Sequence, residues 1–124
     1  MEIINPQGVA KAGPGYAQGT KAGGVVYVAG QVGIEASGQI VGKGDIAAQT
    51  RQTLANVRAV VEAGGLTMGD VVSTTVYIKD YADYKLFAET WVAVFGDHTP
   101  ARATVKADLV HPDLLIEVQA IAAP

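Results

Sequence analysis

The 124-residue sequence predicts a single α+β domain, residues 1–124, with two helices packed on one face of a mixed β-sheet. Three observations lead there. Asp45 to Gly64 and Asp80 to Phe95 carry apolar residues at helical spacing. Short runs rich in β-branched residues flank and separate them. The hydrophobic fraction is 49% against 17% charged, which supplies a core in a chain of one-domain length.

Taken in order, residues 5–24 are rich in Gly, Pro, Ala and Gln and read as a loop, with one short strand near Tyr16-Ala17-Gln18. Val25 to Ile34, VVYVAGQVGI, reads as a strand, and Gly30 within it marks a bulge or a close backbone approach. Ser37-Gly38 offers a turn into a short strand over Gln39 to Val41, which makes a β-hairpin. Asp45 is placed to cap the first helix, whose stripe is Ile46, Thr50, Leu54, Val57 and Val61. Gln49, Arg51, Gln52, Asn56 and Arg58 fall mainly off that stripe, and Gly64-Gly65 ends the helix.

Asp70 to Lys79, DVVSTTVYIK, is strongly strand-like. The second helix has Tyr84, Phe87, Ala88, Trp91, Val94 and Phe95 on its apolar side, so Trp91 reads as core or interface packing. Arg102 to Val110 and Leu114 to Ala122 read as two final strands joined through His111-Pro112-Asp113. The order is β-β-α-β-α-β-β after an irregular start.

Composition excludes several chemistries. No cysteine is present, so disulfides and thiol catalysis are ruled out. His98 and His111 have no paired metal-ligand spacing and read as surface turn residues near prolines; no metal site is expected. Net charge is −3 and no basic run exists, which argues against nucleic-acid binding. No apolar run reaches the roughly 18–20 residues of a membrane span, and the N-terminus lacks a signal-peptide pattern, so a cytoplasmic protein is expected. Gly13-Pro14-Gly15-Tyr16-Ala17-Gln18-Gly19 does not match a phosphate-binding glycine loop. The low charge fraction is consistent with surface given to a partner subunit.

Among chemically capable residues, Arg102 opens an apolar strand, and a guanidinium there could grip a carboxylate through two parallel hydrogen bonds. An ion pair with Glu117 or Asp108, or exposure at a strand end, is the plainer account. Alternation puts Glu117 and Gln119 on one strand face and Ile116, Val118 and Ala120 on the other. A carboxylate among aliphatic residues loses water, which raises its pKa toward acid/base use; a solvent-facing residue is the plainer account here too. Tyr16 supplies either a loop hydroxyl or a hydrophobic plug.

Several segments together resemble the RidA (YjgF-like) family: Gly13 to Gly19, Ala29-Gly30-Gln31, Gly44 to Gln52, Asp70 to Ile78, Pro100-Ala101-Arg102-Ala103-Thr104-Val105, and Leu115 to Ala122. The resemblance runs over nearly the whole chain. It implies a chorismate-mutase-like α+β fold and a homotrimer with sites between subunits. It implies hydrolysis of reactive enamines or imines, such as 2-aminoacrylate, to a 2-keto acid and ammonia without a cofactor. Matched residue by residue, Arg102 would bind the substrate carboxylate, Glu117 would position water and Tyr16 would reach into the cleft. Gly30 would line the site, and Thr104 stands where many members carry cysteine. Ala29, Ala88 and Gln119 also depart from common family residues, which bears on substrate choice. Two alternatives remain: a 2-aminomuconate-type deaminase, and a non-catalytic small-acid-binding or chaperone-like trimer.

Overall fold

A computed structural model describes residues 1–124. Six strands form one sheet in the order β1-β2-β3-β6-β4-β5. The strands are β1 (Glu2–Ile4), β2 (Gly19–Ala22), β3 (Val25–Val32), β4 (Val71–Ile78), β5 (Ala101–Lys106) and β6 (Ile116–Ala122). The helices are α1 (Ile46–Ala63) and α2 (Tyr84–Phe95). All neighbouring strands are antiparallel except β4 and β5. That pair is parallel because α2 carries the chain back across the sheet between them.

One sheet face is the core. Val26 and Val28, Val76 and Ile78, and Ile116, Val118 and Ala120 alternate toward it, every one of them buried. Leu54, Val57, Val60 and Val61 of α1 and Phe87, Trp91 and Phe95 of α2 cover it. The other face has no helix over it. No helix is long and apolar enough to cross a membrane.

Caps and turns follow the sequence. Asp45 Oδ1 accepts the Ala48 N–H at 3.0 Å, and Gly65 takes φ +85° just after α1. The expected irregularity at Gly30 is a register shift between Val28 and Gln31 where β3 pairs with β6.

Several expectations change. No strand forms at Tyr16-Ala17-Gln18; instead β2 begins at Gly19 and pairs with β1, which had not been anticipated. Strands of three and four residues are too short for alternation to register in sequence. The hairpin partner at Gln39 to Val41 shrinks to a single bridge, Ile34 to Ile40. The fifth strand stops at Lys106 and the sixth starts at Ile116, leaving residues 107–115 as a loop. The apolar run LVHPDLL within that loop mimics a strand by composition only. His98 is not a free turn residue, since its Nε2–H donates to the Val71 carbonyl at 2.7 Å beside Phe95. Gln49 and Asn56, placed off the apolar stripe, are buried.

Candidate functional site

The helix-free sheet face opens into a hollow of about 1020 Å³. Its floor comes from β3 (Ala29, Gly30, Val32) and β6 (Glu117, Gln119). One wall is the loop through Ile34, Ile40 and Lys43, and the opposite wall is Val110 to Leu114. Tyr16 closes one end from the N-terminal loop, more than half exposed and so not a core plug.

Glu117 lies in this floor, half-buried, paired across the sheet with Val32 and Tyr77. Burial pushes its carboxyl above the ordinary value of 4.5, because a partly dry site disfavours the charged form. No side chain donates a hydrogen bond to it and no cation pairs with it within this chain. The β3 bulge places Gly30 against it. A Cβ at position 30 would sit 2.8 Å from the Glu117 Cδ and closer still to Oε2. Any Cβ at position 30 would push the Glu117 carboxylate out of its present position.

The loop bearing Tyr16 is tied to the sheet by buried amides. Gln31 Nε2 donates to Gln18 Oε1 at 2.8 Å, and Gln18 Nε2 donates to the Ala10 carbonyl at 2.9 Å. The Gln18 N–H donates to Asn5 Oδ1 at 2.9 Å. Across the hollow, Lys43 Nζ lies 3.4 Å from Asp113 Oδ2 with His111 beside them, so the far rim is polar.

Arg102 lies elsewhere. It pairs with Thr74 on β4, whose side chain faces the helices, so Arg102 projects from the helix-covered side of edge strand β5. Its Nη2 donates to the Tyr84 hydroxyl at 3.0 Å. Its Cζ lies 5.2 Å from the Phe87 ring centroid and 5.1 Å from that of Trp91. Cation–π attraction therefore fixes its direction. It pairs with no carboxylate, neither Glu117 nor Asp108. Thr104, two residues along the same strand, shares its side.

The sequence-derived site residues therefore divide into two groups. Glu117, Gly30 and Tyr16 line one hollow; Arg102 and Thr104 occupy the opposite sheet face at its edge. Sequence reasoning missed Gln49 and the aromatic cradle under Arg102. The cradle was legible only as an apolar helix side. For Gln49 a signal existed: Gln49, Thr53, Asn56 and Val60 continue helical three- and four-residue spacing.

No group of three or more His, Cys, Asp or Glu side chains is arranged to hold a metal ion. The hollow brings together one perturbed carboxylate, backbone, aliphatic side chains, Tyr16 and Gln119, with Lys43, His111 and Asp113 at its rim.

Comparison with known proteins places this geometry in context. The family model for endoribonuclease L-PSP matches residues 8–124. A RutC family protein of Pyrococcus horikoshii is 42% identical over 122 residues, covering 98% of this chain and 96% of the relative. A Salmonella typhimurium protein named 2-iminobutanoate/2-iminopropanoate deaminase is 41% identical over 123 residues, covering 97% of this chain and 94% of that protein. The crystal structure of E. coli TdcF with bound serine superposes with a TM-score of 0.92 at 33% identity, covering 100% of this chain and 99% of that one.

Proposed function

The chain belongs to the endoribonuclease L-PSP (YjgF/RidA) family, and from that premise we propose that it hydrolyses small 2-imino acids to 2-keto acids and ammonia. The observation that carries this reading is Glu117: a carboxylate with a raised pKa, unpaired, in the floor of a hollow of small-molecule size. Relatives of 41% identity bear the imine-deaminase name, and a structural relative holds serine, a small carboxylate-bearing molecule.

The substrate is a protonated imine, whose carbon is already electrophilic. Water in the hollow attacks that carbon while Glu117 accepts its proton. The resulting carbinolamine receives the proton on nitrogen, again from Glu117. The C–N bond then breaks, ammonia departs, and the remaining hydroxyl becomes the carbonyl of the keto acid by releasing its proton. Holding water beside the imine supplies much of the acceleration.

The carboxylate grip is assigned to Arg102. Within one chain Arg102 and Glu117 lie on opposite sheet faces, so this assignment requires a second copy. We place the complete site between chains of a homotrimer: Arg102, seated on the α2 aromatics beside the free edge of β5 in one copy, meets the hollow of its neighbour, with Thr104 beside it. Two features support this arrangement. Strand β5 has an unpaired edge, and the helix-free face carries exposed Tyr27 and Val72. The net charge of −3 opposes a polyanionic substrate, which sets the reading apart from the nuclease in the family's description.

The test generates 2-imino acids with an amino-acid oxidase and follows their disappearance by semicarbazide trapping. Wild type accelerates hydrolysis, Arg102→Ala abolishes the effect and Glu117→Ala strongly reduces it. Wild-type rates in both variants, with assembly intact, would remove this mechanism. No acceleration by wild type would leave a binding module.

A further inference from the structure

Gln49 sits on α1 beneath the hollow, fully buried, and its amide is shared by both walls. Nε2 donates to the Asp113 carbonyl at 2.8 Å and to the Gly42 carbonyl at 3.3 Å. Oε1 accepts the Leu115 N–H at 2.8 Å. The Gly42 carbonyl belongs to the loop carrying Ile40 and Lys43; Asp113 and Leu115 belong to the loop carrying Val110 and Leu114. The other side-chain link between the loops is the Lys43–Asp113 ion pair at 3.4 Å, which is exposed and screened by water, whereas the Gln49 amide is buried. The amide is also held from below. A Cβ at Gly33 would lie 3.0 Å from the Gln49 Cγ and 3.3 Å from its Cδ, so the glycine leaves the amide just enough room.

Each loop is tied to its own neighbouring strand, Val41 N–H donating to the Gly33 carbonyl and Lys79 N–H to the Leu115 carbonyl, but these bonds do not join one wall to the other and so do not fix the width between them. A buried amide making all three bonds resists any change in that width, since separating the walls would strand polar groups away from water. Both walls contribute aliphatic side chains to the hollow, Ile34 and Ile40 from one and Val110 and Leu114 from the other, beside the polar rim of Lys43, His111 and Asp113. This is the compartment where the side chain of an imino acid would rest while its reacting carbon faces Glu117.

We infer that Gln49 is the positioning residue that fixes the distance between these two walls and so sets the side-chain length the hollow accepts. This rests on the imino-acid reading for its substrate, though not for the wall contact itself. Gln49 touches no reacting atom; it acts through Gly42, Asp113 and Leu115.

The experiment compares Gln49→Met, which keeps the shape without the amide, with Gly33→Ala, which crowds the amide from below. Leu54→Ala serves as a core control on the same helix, buried but remote from both loops. Each is assayed with imino acids of increasing aliphatic length, and amide hydrogen exchange is followed across residues 39–45 and 110–115. In Gln49→Met the ratio of kcat/KM between the longest and shortest substrates shifts about tenfold, the scale of one methylene in an apolar pocket, mainly through KM. Exchange at Leu115 rises in the same variant. Gly33→Ala moves both readouts in the same direction by a smaller amount, and it keeps the test alive should Gln49→Met fail to fold. Leu54→Ala lowers Tm and leaves the ratio unchanged.

An equal loss for all substrates, or an unchanged ratio in folded protein, would overturn the inference. So would unchanged exchange at Leu115. If wild type hydrolyses no imino acid, the proposed function fails by itself, and the exchange data still decide whether Gln49 holds the walls.

Discussion

Gly30 and Glu117 face each other across β3 and β6 so closely that a methyl group at position 30 would lie 2.8 Å from the Glu117 Cδ. The bulge and the carboxylate are thus one device. The register shift between Val28 and Gln31 turns backbone, rather than a side chain, toward the carboxyl group.

Gly30→Ala therefore moves Glu117 without removing it. Displacing a reacting group by about 1 Å costs on the order of 100-fold in rate. We expect kcat to fall on that scale while circular dichroism stays close to wild type. Undiminished kcat in Gly30→Ala would mean that Glu117 is not held by this contact.

Titration of Glu117 gives a second check. Burial raises its pKa above 4.5, so protonation persists into milder acid than for a free glutamate. A carboxyl group whose folded value is raised favours folding most fully below its unfolded value, and this contribution is lost as pH climbs through the folded value. At neutral pH the ionised group is therefore held at a cost. Glu117→Gln should raise Tm at pH 7 more than at pH 4, compared at one protein concentration. The wild-type carboxyl, followed by carbon-13 NMR, should titrate above 4.5. An Arg102 reaching it from a second copy would pull that midpoint down, so Arg102→Ala should titrate higher than wild type.

A site divided between copies predicts complementation. Alone, Arg102→Ala is expected to be inactive and Glu117→Ala to keep only a small residual rate. Mixed, unfolded and reassembled together in equal amounts, about one quarter of the interfaces would pair an intact Arg102 with an intact Glu117 by random association. Activity near one quarter of wild type is expected. Activity of zero from well-formed mixed assemblies would place both residues' roles within single chains.

Trp91, the sole tryptophan, offers a direct reporter of the carboxylate grip. Its ring centroid lies 5.1 Å from the Arg102 Cζ. Pyruvate, a keto-acid product, should change Trp91 fluorescence saturably in wild type and leave it unchanged in Arg102→Lys, whose compact ammonium cannot reproduce the planar fork. An identical response in both proteins would detach the guanidinium from ligand binding.

Local signals in the sequence carried much of the fold. Asp45 and Gly64-Gly65 marked the ends of α1, and the β-branched run after Asp70 marked β4, because capping and strand preference act over a few neighbouring residues. The alternation around Glu117 correctly separated it from Val118 and Ala120. What local signals could not carry was adjacency between distant segments. Nothing in Glu2-Ile3-Ile4 announces a partner at Gly19 to Lys21, and nothing in Arg102 announces that its side chain and that of Glu117 leave the sheet on opposite sides. Gln49 was misjudged for a related reason. A glutamine counts as polar in any periodicity analysis, and only the positions of Gly42, Asp113 and Leu115 show that burial satisfies it.

The exposed edge of β5 has a consequence for how such an enzyme behaves in a test tube. If the guanidinium of one chain must meet the glutamate of the next, a solitary chain is only half a catalyst. Specific activity would then fall on dilution and recover on concentration, following the association constant rather than any change in folding. A laboratory that dilutes its stock into the nanomolar range would be measuring self-association under the guise of turnover.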